Sequence, residues 1–123
     1  MAKILIVDDD FDIQEILRAY LEGDGHTVVS AGNRGDGMAA VTRETPDLIV
    51  LDVMMETEDD GFTMAQELRR QGVKTPIVML TSVSRAFGMP FGKDREMVPV
   101  DEFLEKPVKP GLLLDKIHAL LER

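Results

Sequence analysis

Three adjacent carboxylates, Asp8, Asp9 and Asp10, end the apolar run Ile4-Leu5-Ile6-Val7, and another, Asp52, ends the run Leu48-Ile49-Val50-Leu51. A third run, Pro76-Ile77-Val78-Met79-Leu80, ends in Thr81, and Lys106 follows a shorter stretch over Val100 to Leu104. Like charges about 4 Å apart repel by roughly 4 kcal/mol per pair at an effective dielectric near 20. An acidic cluster beside a buried strand end therefore needs relief, and a hard cation such as Mg²⁺ supplies it through one or two carboxylates and several waters. The plainer alternative for the first cluster is a solvated turn in which an aspartate caps a helix. Taken together, the polar groups at these run ends fit phosphoryl transfer. Mg²⁺ on Asp8, Asp9 and Asp52 would offset the charge of an incoming phosphoryl group, Asp52 would be the nucleophile, and Lys106 and Thr81 would hold phosphoryl oxygens.

The elements that must carry these groups follow from periodicity. The apolar runs are largely β-branched and continuous, as in strands buried on both faces of a parallel sheet. From Asp12 to Glu22, the apolar residues Ile13, Ile16, Leu17, Tyr20 and Leu21 recur at helical spacing, and Gly23-Asp24-Gly25 stops the helix. Thr27-Val28-Val29 marks a short strand within His26 to Ala31. Asn33 or a neighbour opens a helix with Met38, Ala39 and Val41 inward, which ends before Pro46. Phe62 to Gln71 is read as a helix with Phe62, Ala65 and Leu68 inward, closed by Gly72. Pro110 to Leu121 is read as the last, with Leu113, Leu114, Ile117 and Leu121 inward. Strand and helix alternate, which predicts parallel βαβ units and an α/β, doubly wound sheet. The exception is Ser82 to Pro99, where Gly88, Pro90, Gly92 and Pro99 oppose a regular helix, so the helix due there is expected to be shortened or replaced by an irregular segment. In open sheets of this kind, ligands sit beyond the carboxyl ends of the strands, which is where the candidate groups fall.

Composition narrows the alternatives. A chain of 123 residues suits one domain, expected to span 1–123. The balance of 23 acids against 14 bases makes a polyanion such as nucleic acid an unfavourable direct partner. The absence of cysteine excludes disulfides, thiolate metal sites and cysteine nucleophiles. The first apolar run is too short for a signal peptide or a membrane span, so no membrane partner and a cytoplasmic location are expected.

With these residues assembled, the chain resembles the receiver domains of two-component response regulators over nearly its whole length. The resemblance rests on Ile4-Leu5-Ile6-Val7-Asp8-Asp9-Asp10, Pro46-Asp47-Leu48-Ile49-Val50-Leu51-Asp52, Leu80-Thr81-Ser82, Phe103 and Lys106-Pro107, in that order. It implies a flavodoxin-like, five-stranded parallel sheet of order 2-1-3-4-5 with helices on both faces. It also implies a phosphoacceptor rather than an enzyme: Asp52 takes a phosphoryl group from a histidine kinase or phosphotransfer protein, with Mg²⁺. Met54 would add its backbone carbonyl to the metal, while Ser82 is read either as a phosphoryl contact or as a small packing residue. A cis peptide before Pro107 would aim Lys106 into the pocket. Thr81 and the aromatic Phe103 would form the switch that alters binding to an output partner or fused output domain.

The chain departs from the family pattern in two places. The family usually carries Met-Pro after its aspartate and reaches a glycine eight residues on. Here Glu56 follows Met55 and Gly61 lies nine residues on, in a loop made acidic by Glu56, Glu58, Asp59 and Asp60. The other departure is 82–99, which in the family contributes to the signalling face. Family members lose the phosphoryl group at rates set by the residues two beyond the aspartate and two beyond the threonine. Here these are Met54 and Val83, apolar side chains that cannot orient a water, so slow hydrolysis is expected.

Two other classes are weighed. A phosphohydrolase with its nucleophile on the first strand wants Asp-x-Asp followed by a small or β-branched residue, where Phe11 stands. A degenerate receiver would bind a partner without phosphorylation, against which the full residue set argues. Of the remaining polar residues, Asp10 is expected to cap a helix, and His26 and His118 are given no chemical role. Leu112-Leu113-Leu114 is read as a wide core contact rather than a partner surface. With no output domain following the last helix, the chain is expected to be a single-domain regulator or a piece of a longer protein.

Overall fold

The computed structural model describes residues 2–53, 55, 60–82 and 100–122. Its strands are β1 (Lys3–Val7), β2 (Thr27–Ala31), β3 (Leu48–Asp52), β4 (Ile77–Ser82) and β5 (Glu102–Lys106). Its helices, in chain order, are α1 (Phe11–Gly23), α2 (Arg34–Glu44), α3 (Asp60–Arg70) and α4 (Pro110–Glu122). The strands form one sheet in the order β2-β1-β3-β4-β5, every neighbouring pair parallel. This is the doubly wound arrangement that the alternating pattern predicts. The shortened helix expected between β4 and β5 falls on 83–99, outside the described residues.

The apolar runs fill two cores because successive strand side chains point to opposite faces. Leu5, Val7, Ile49, Leu51, Ile77 and Met79 face α2 and α3, meeting Ala40, Val41, Met64, Ala65 and Leu68. Ile4, Ile6, Leu48, Val50, Val78 and Leu80 face α1 and α4, meeting Leu17, Leu21, Leu113, Ile117 and Leu120. Continuous hydrophobicity in β1 and β3 is therefore required, since each strand is covered on both sides.

Helix ends obey local chemistry. The Asp10 side chain accepts from the amides of Asp12 and Ile13 and caps α1, as the capping reading of that residue expects. Asn33 caps α2 by accepting from the Asp36 amide at 2.8 Å. Beyond α1, Asp24 takes the C-cap position and Gly25 adopts the positive φ of 90° that lets the chain turn into β2. On the far side of the sheet, Arg69 donates to the carbonyls of Val73 and Thr75 and pairs with Asp101 at 3.1 Å. Asp101 in turn accepts from the Ile77 amide. That network ties the end of α3 to the starts of β4 and β5.

Several elements differ in detail from the periodicity reading. The fifth strand begins at Glu102, two residues later than expected, and runs through Lys106. In α2 it is Ala40, not Ala39, that is buried, because Gly37, Ala40 and Val41 face β1 and α3. In α4 the inward set is Leu113, Ile117 and Leu120, with Leu114 and Leu121 only partly covered. Leu112 is 47% exposed, so the leucine triplet is not a wide core contact. Ile16 is also exposed, leaving Leu17 and Leu21 to anchor α1.

Ile49, fully buried in the strand on which both inner ladders meet, provides a direct test of this packing. Ile49→Ala is expected to lower stability by about 2–5 kcal/mol in urea unfolding. A loss below about 1 kcal/mol would be incompatible with a closely packed centre.

Candidate functional site

Parallel strands all end on one side, and the polar residues nominated from the sequence lie there. Asp8 follows β1 and is fully buried. Asp52 ends β3 at 5% exposure, while Asp9 is exposed. Ligand oxygens of Asp8, Asp9 and Asp52 lie within 4.8 Å of one another. Lys106, the last residue of β5, reaches across from the edge of the sheet. Its Nζ is 3.2 Å from Asp8 Oδ2 and 3.2 Å from Asp52 Oδ1. The Lys106–Pro107 peptide is cis.

Backbone and side-chain contacts set each carboxylate in place. The Asp8 amide donates to the Ala31 carbonyl in the β2 ladder, and Asp8 Oδ1 accepts from the Asp10 amide at 2.9 Å. Gln14, on the first turns of α1, donates through Nε2 to the Asp8 carbonyl at 2.6 Å and to the Ala31 carbonyl at 3.4 Å. Gln14 was not singled out from the sequence. Its polarity on the sheet-facing side of an amphipathic helix was the available signal. Beyond Asp52, the Val53 amide donates to Leu80 and the Gly61 amide donates to Val53. Gly61 thus lies directly against the acceptor strand. A Cβ on it would collide with the Asp52 carbonyl oxygen and sit 2.6 Å from Val53 Cα.

The other nominated residues are distributed around this centre. Thr81 is fully buried in β4, one residue beyond Leu80, which lies beside Asp52 in the register. Ser82 lies beside Lys106 in the register. Phe103, in β5, packs against the α2–α3 core, and its ring centroid is 6.3 Å from that of Phe62. The phosphoryl contact expected of the Ser82 side chain and the metal contact expected of Met54 fall outside the described residues. So does most of the acidic loop, although Asp60, at the start of α3, is buried and has Arg34 Nε 3.8 Å from its carboxylate.

Electrostatics explain the lysine. Burial pushes the Lys106 ammonium down, but the charges of Asp8 and then Asp52, with hydrogen bonds to both, outweigh it and raise its pKa above the ordinary lysine value. The stability this contributes is fully present below the lysine's unfolded pKa and is lost only as pH rises through the raised folded value. One ammonium cannot neutralise three carboxylates. The all-oxygen donor set of Asp8, Asp9 and Asp52 fits a hard divalent ion, with room left for water.

The sequence reading also missed a second cluster. Asp24 converges with His26 and His118, the two histidines given no catalytic role above, at the opposite end of the sheet. His118 is supplied by α4, 94 positions from Asp24, a proximity that local spacing could not reveal.

An open parallel sheet with an acidic cluster and Lys106 beyond its carboxyl ends is a doubly wound α/β fold whose charged groups suit a divalent ion and a phosphoryl group. Comparison with known proteins gives the family: the response regulator receiver domain matches residues 4–118, and the chain belongs to it. Receiver domains are the signalling phosphoacceptors of two-component systems, and they generally bind Mg²⁺ at an acidic pocket. Among relatives, the chain is 35% identical over 121 residues to the alkaline phosphatase synthesis transcriptional regulatory protein PhoP of Bacillus subtilis. That match covers 98% of this chain and 49% of PhoP. It is 36% identical to the probable transcriptional regulator ycf27 of Porphyridium aerugineum, covering 98% of this chain and 48% of that protein. The chain thus spans about half the length of the curated relatives it matches. Among solved structures, a putative response regulator from Chloroflexus aurantiacus superposes with a TM-score of 0.85 at 29% identity, covering 99% of this chain and 98% of that one. The chemotaxis protein CheY4 of Vibrio cholerae gives 0.81 at 29% identity, covering 98% and 99%. No described helix is long and apolar enough to cross a membrane.

Gly61→Ala is expected to cost about 1–3 kcal/mol, because the new methyl meets backbone that cannot yield cheaply. Urea unfolding with and without Mg²⁺ checks this. Unchanged stability would show that the turn after β3 relaxes freely and does not hold Asp52.

Proposed function

We propose that residues 1–123 act as one receiver unit in which Asp52 accepts a phosphoryl group from a histidine kinase or phosphotransfer protein. The observation that best supports this is the position of Lys106 Nζ, 3.2 Å from carboxylate oxygens of both Asp8 and Asp52. In the transfer, an Asp52 carboxylate oxygen attacks phosphorus, the phosphorus–nitrogen bond to the donor imidazole breaks, and its electron pair leaves with the imidazole. The product is an acyl phosphate on Asp52. Asp8, Asp9, Asp52 and the Met54 carbonyl are the groups that would hold Mg²⁺, which when bound supplies positive charge against the phosphoryl oxygens.

The protein's own residues do the rest. Lys106 already lies between two carboxylates and can turn its ammonium to a phosphoryl oxygen without crossing the pocket. Thr81 and Ser82, at the end of the neighbouring strand, offer hydroxyls to the remaining oxygens. The hydroxyl of Thr81 moves toward the phosphoryl group and Phe103 turns inward behind it, changing the surface that an output partner or fused output domain reads. The unit has no multiple-turnover substrate. It works in the cytoplasm and reaches neither nucleic acid nor membrane directly.

Incubation with acetyl phosphate and Mg²⁺ is expected to add one phosphoryl group per chain, detected by intact mass. Asp52→Asn abolishes the gain, and chelation of Mg²⁺ lowers the rate by orders of magnitude. Catalytic turnover of the donor, or labelling that survives Asp52→Asn, would refute the assignment.

The apolar Met54 and Val83 supply no group to orient an attacking water. The phosphorylated protein is therefore expected to decay on the slow side of the family. A lifetime of only seconds in purified, Mg²⁺-saturated protein would contradict this.

A further inference from the structure

We propose that Asp24, His26 and His118 form a binding site for a borderline divalent transition ion, Zn²⁺ being the representative. The site lies at the amino ends of the strands, opposite the phosphoacceptor cluster. Three donors of the right chemistry converge there: two imidazoles and one carboxylate, the set that suits zinc, nickel or copper rather than Mg²⁺. Both ring Nε2 atoms point at one oxygen, Asp24 Oδ2, at 2.9 Å for His26 and 2.6 Å for His118. The two rings are 6.3 Å apart and tilted by 52°, so their nitrogens approach the carboxylate from different directions.

The site is built in advance. His26 has a side chain only 5% exposed. Its backbone is fixed by the turn after α1, where the amides of Asp24, Gly25 and His26 donate to carbonyls of Leu21 and Glu22. Behind the ring, the Ala2 amide donates to Nδ1 at 3.1 Å, a bond that belongs to the metal-free state. His118 is half-exposed and leaves one side of the cluster open to solvent. Three protein donors with an open fourth position taken by water is a common zinc arrangement.

With Nδ1 accepting from Ala2, a neutral His26 carries its ring proton on Nε2, toward Asp24. For Nε2 to ligate, that proton must move to Nδ1, so Nδ1–H and the Ala2 amide, then both donors, part and each donates to water instead. Tetrahedral donors at zinc–nitrogen distances of about 2.0–2.1 Å lie roughly 3.3 Å apart. The present spacings are shorter by about 0.4 Å at His26 and about 0.7 Å at His118, changes that the partly exposed Asp24 and His118 side chains can absorb. A bound ion would bridge the α1–β2 turn to α4, joining the sheet edge at β2 to the last helix.

The test is titration of Zn²⁺ into the intact chain by calorimetry, with excess Mg²⁺ present to occupy the acidic cluster. One Zn²⁺ per chain at micromolar affinity or better is expected. At a free concentration a hundredfold above Kd, the thermal midpoint should rise by about 5–15 °C. His118→Gln and Asp24→Asn, both at solvent-accessible positions, should each weaken binding at least tenfold, whereas Asp52→Asn should leave it unchanged. Absorption of bound Co²⁺ should show the same dependence. Absence of binding in Mg²⁺ excess, binding that survives either of the first two variants, or binding lost with Asp52→Asn would each overturn the proposal and leave Asp24 as a hydrogen-bonding clamp between two histidines.

Discussion

The repulsion among Asp8, Asp9 and Asp52 governs how this molecule is put together. Two of the three carboxylates are almost wholly removed from water, and their ligand oxygens lie within 4.8 Å of the third. Such a grouping is costly in a medium of low dielectric, and it persists because the surrounding structure leaves it no room to relax. The Asp8 backbone is fixed by Ala31 and Gln14, and its carboxylate by the Asp10 amide. Asp52 ends a strand bonded on both edges and backed by the close approach of Gly61. The two hydrophobic cores, one on each sheet face, supply the rigidity that holds like charges together. Lys106 supplies the opposing charge.

That division of labour accounts for what could be read in the amino-acid order alone. Buried parallel strands leave a plain signature, and Ile4 to Val7, Leu48 to Leu51 and Ile77 to Leu80 carried it directly to the residues at their ends. Sheet order was not visible in periodicity. It came with the family resemblance, and the observed order agrees with it. Asp10 and Asn33 were legible as helix caps because side-chain oxygens beside a helix start act through local geometry.

Features that depend on tertiary context were harder to read. Which of Ala39 and Ala40 faces inward is decided by the approach of α2 to β1 and α3, and the two residues differ little in their own preferences. The start of β5 at Glu102 runs against its charged sequence, since pairing with Val78 through Ser82 fixes the strand regardless of propensity. Gln14 acts on Asp8 through a backbone carbonyl, an effect without a motif. The meeting of Asp24 and His26 with His118 needed the packing of α4 beside α1, which no local spacing encodes.

The position of β5 has a mechanical consequence. It borders the described sheet and is laddered only to β4, whereas the strands bearing Asp8 and Asp52 are clasped on both sides. The lysine of the centre is therefore mounted on a border strand, and the buried acids on strands paired on both sides. A shift of β5 would disturb one ladder, whereas a shift of β1 or β3 would disturb two. The ammonium and the acids it faces thus rest on strands anchored by different numbers of neighbours.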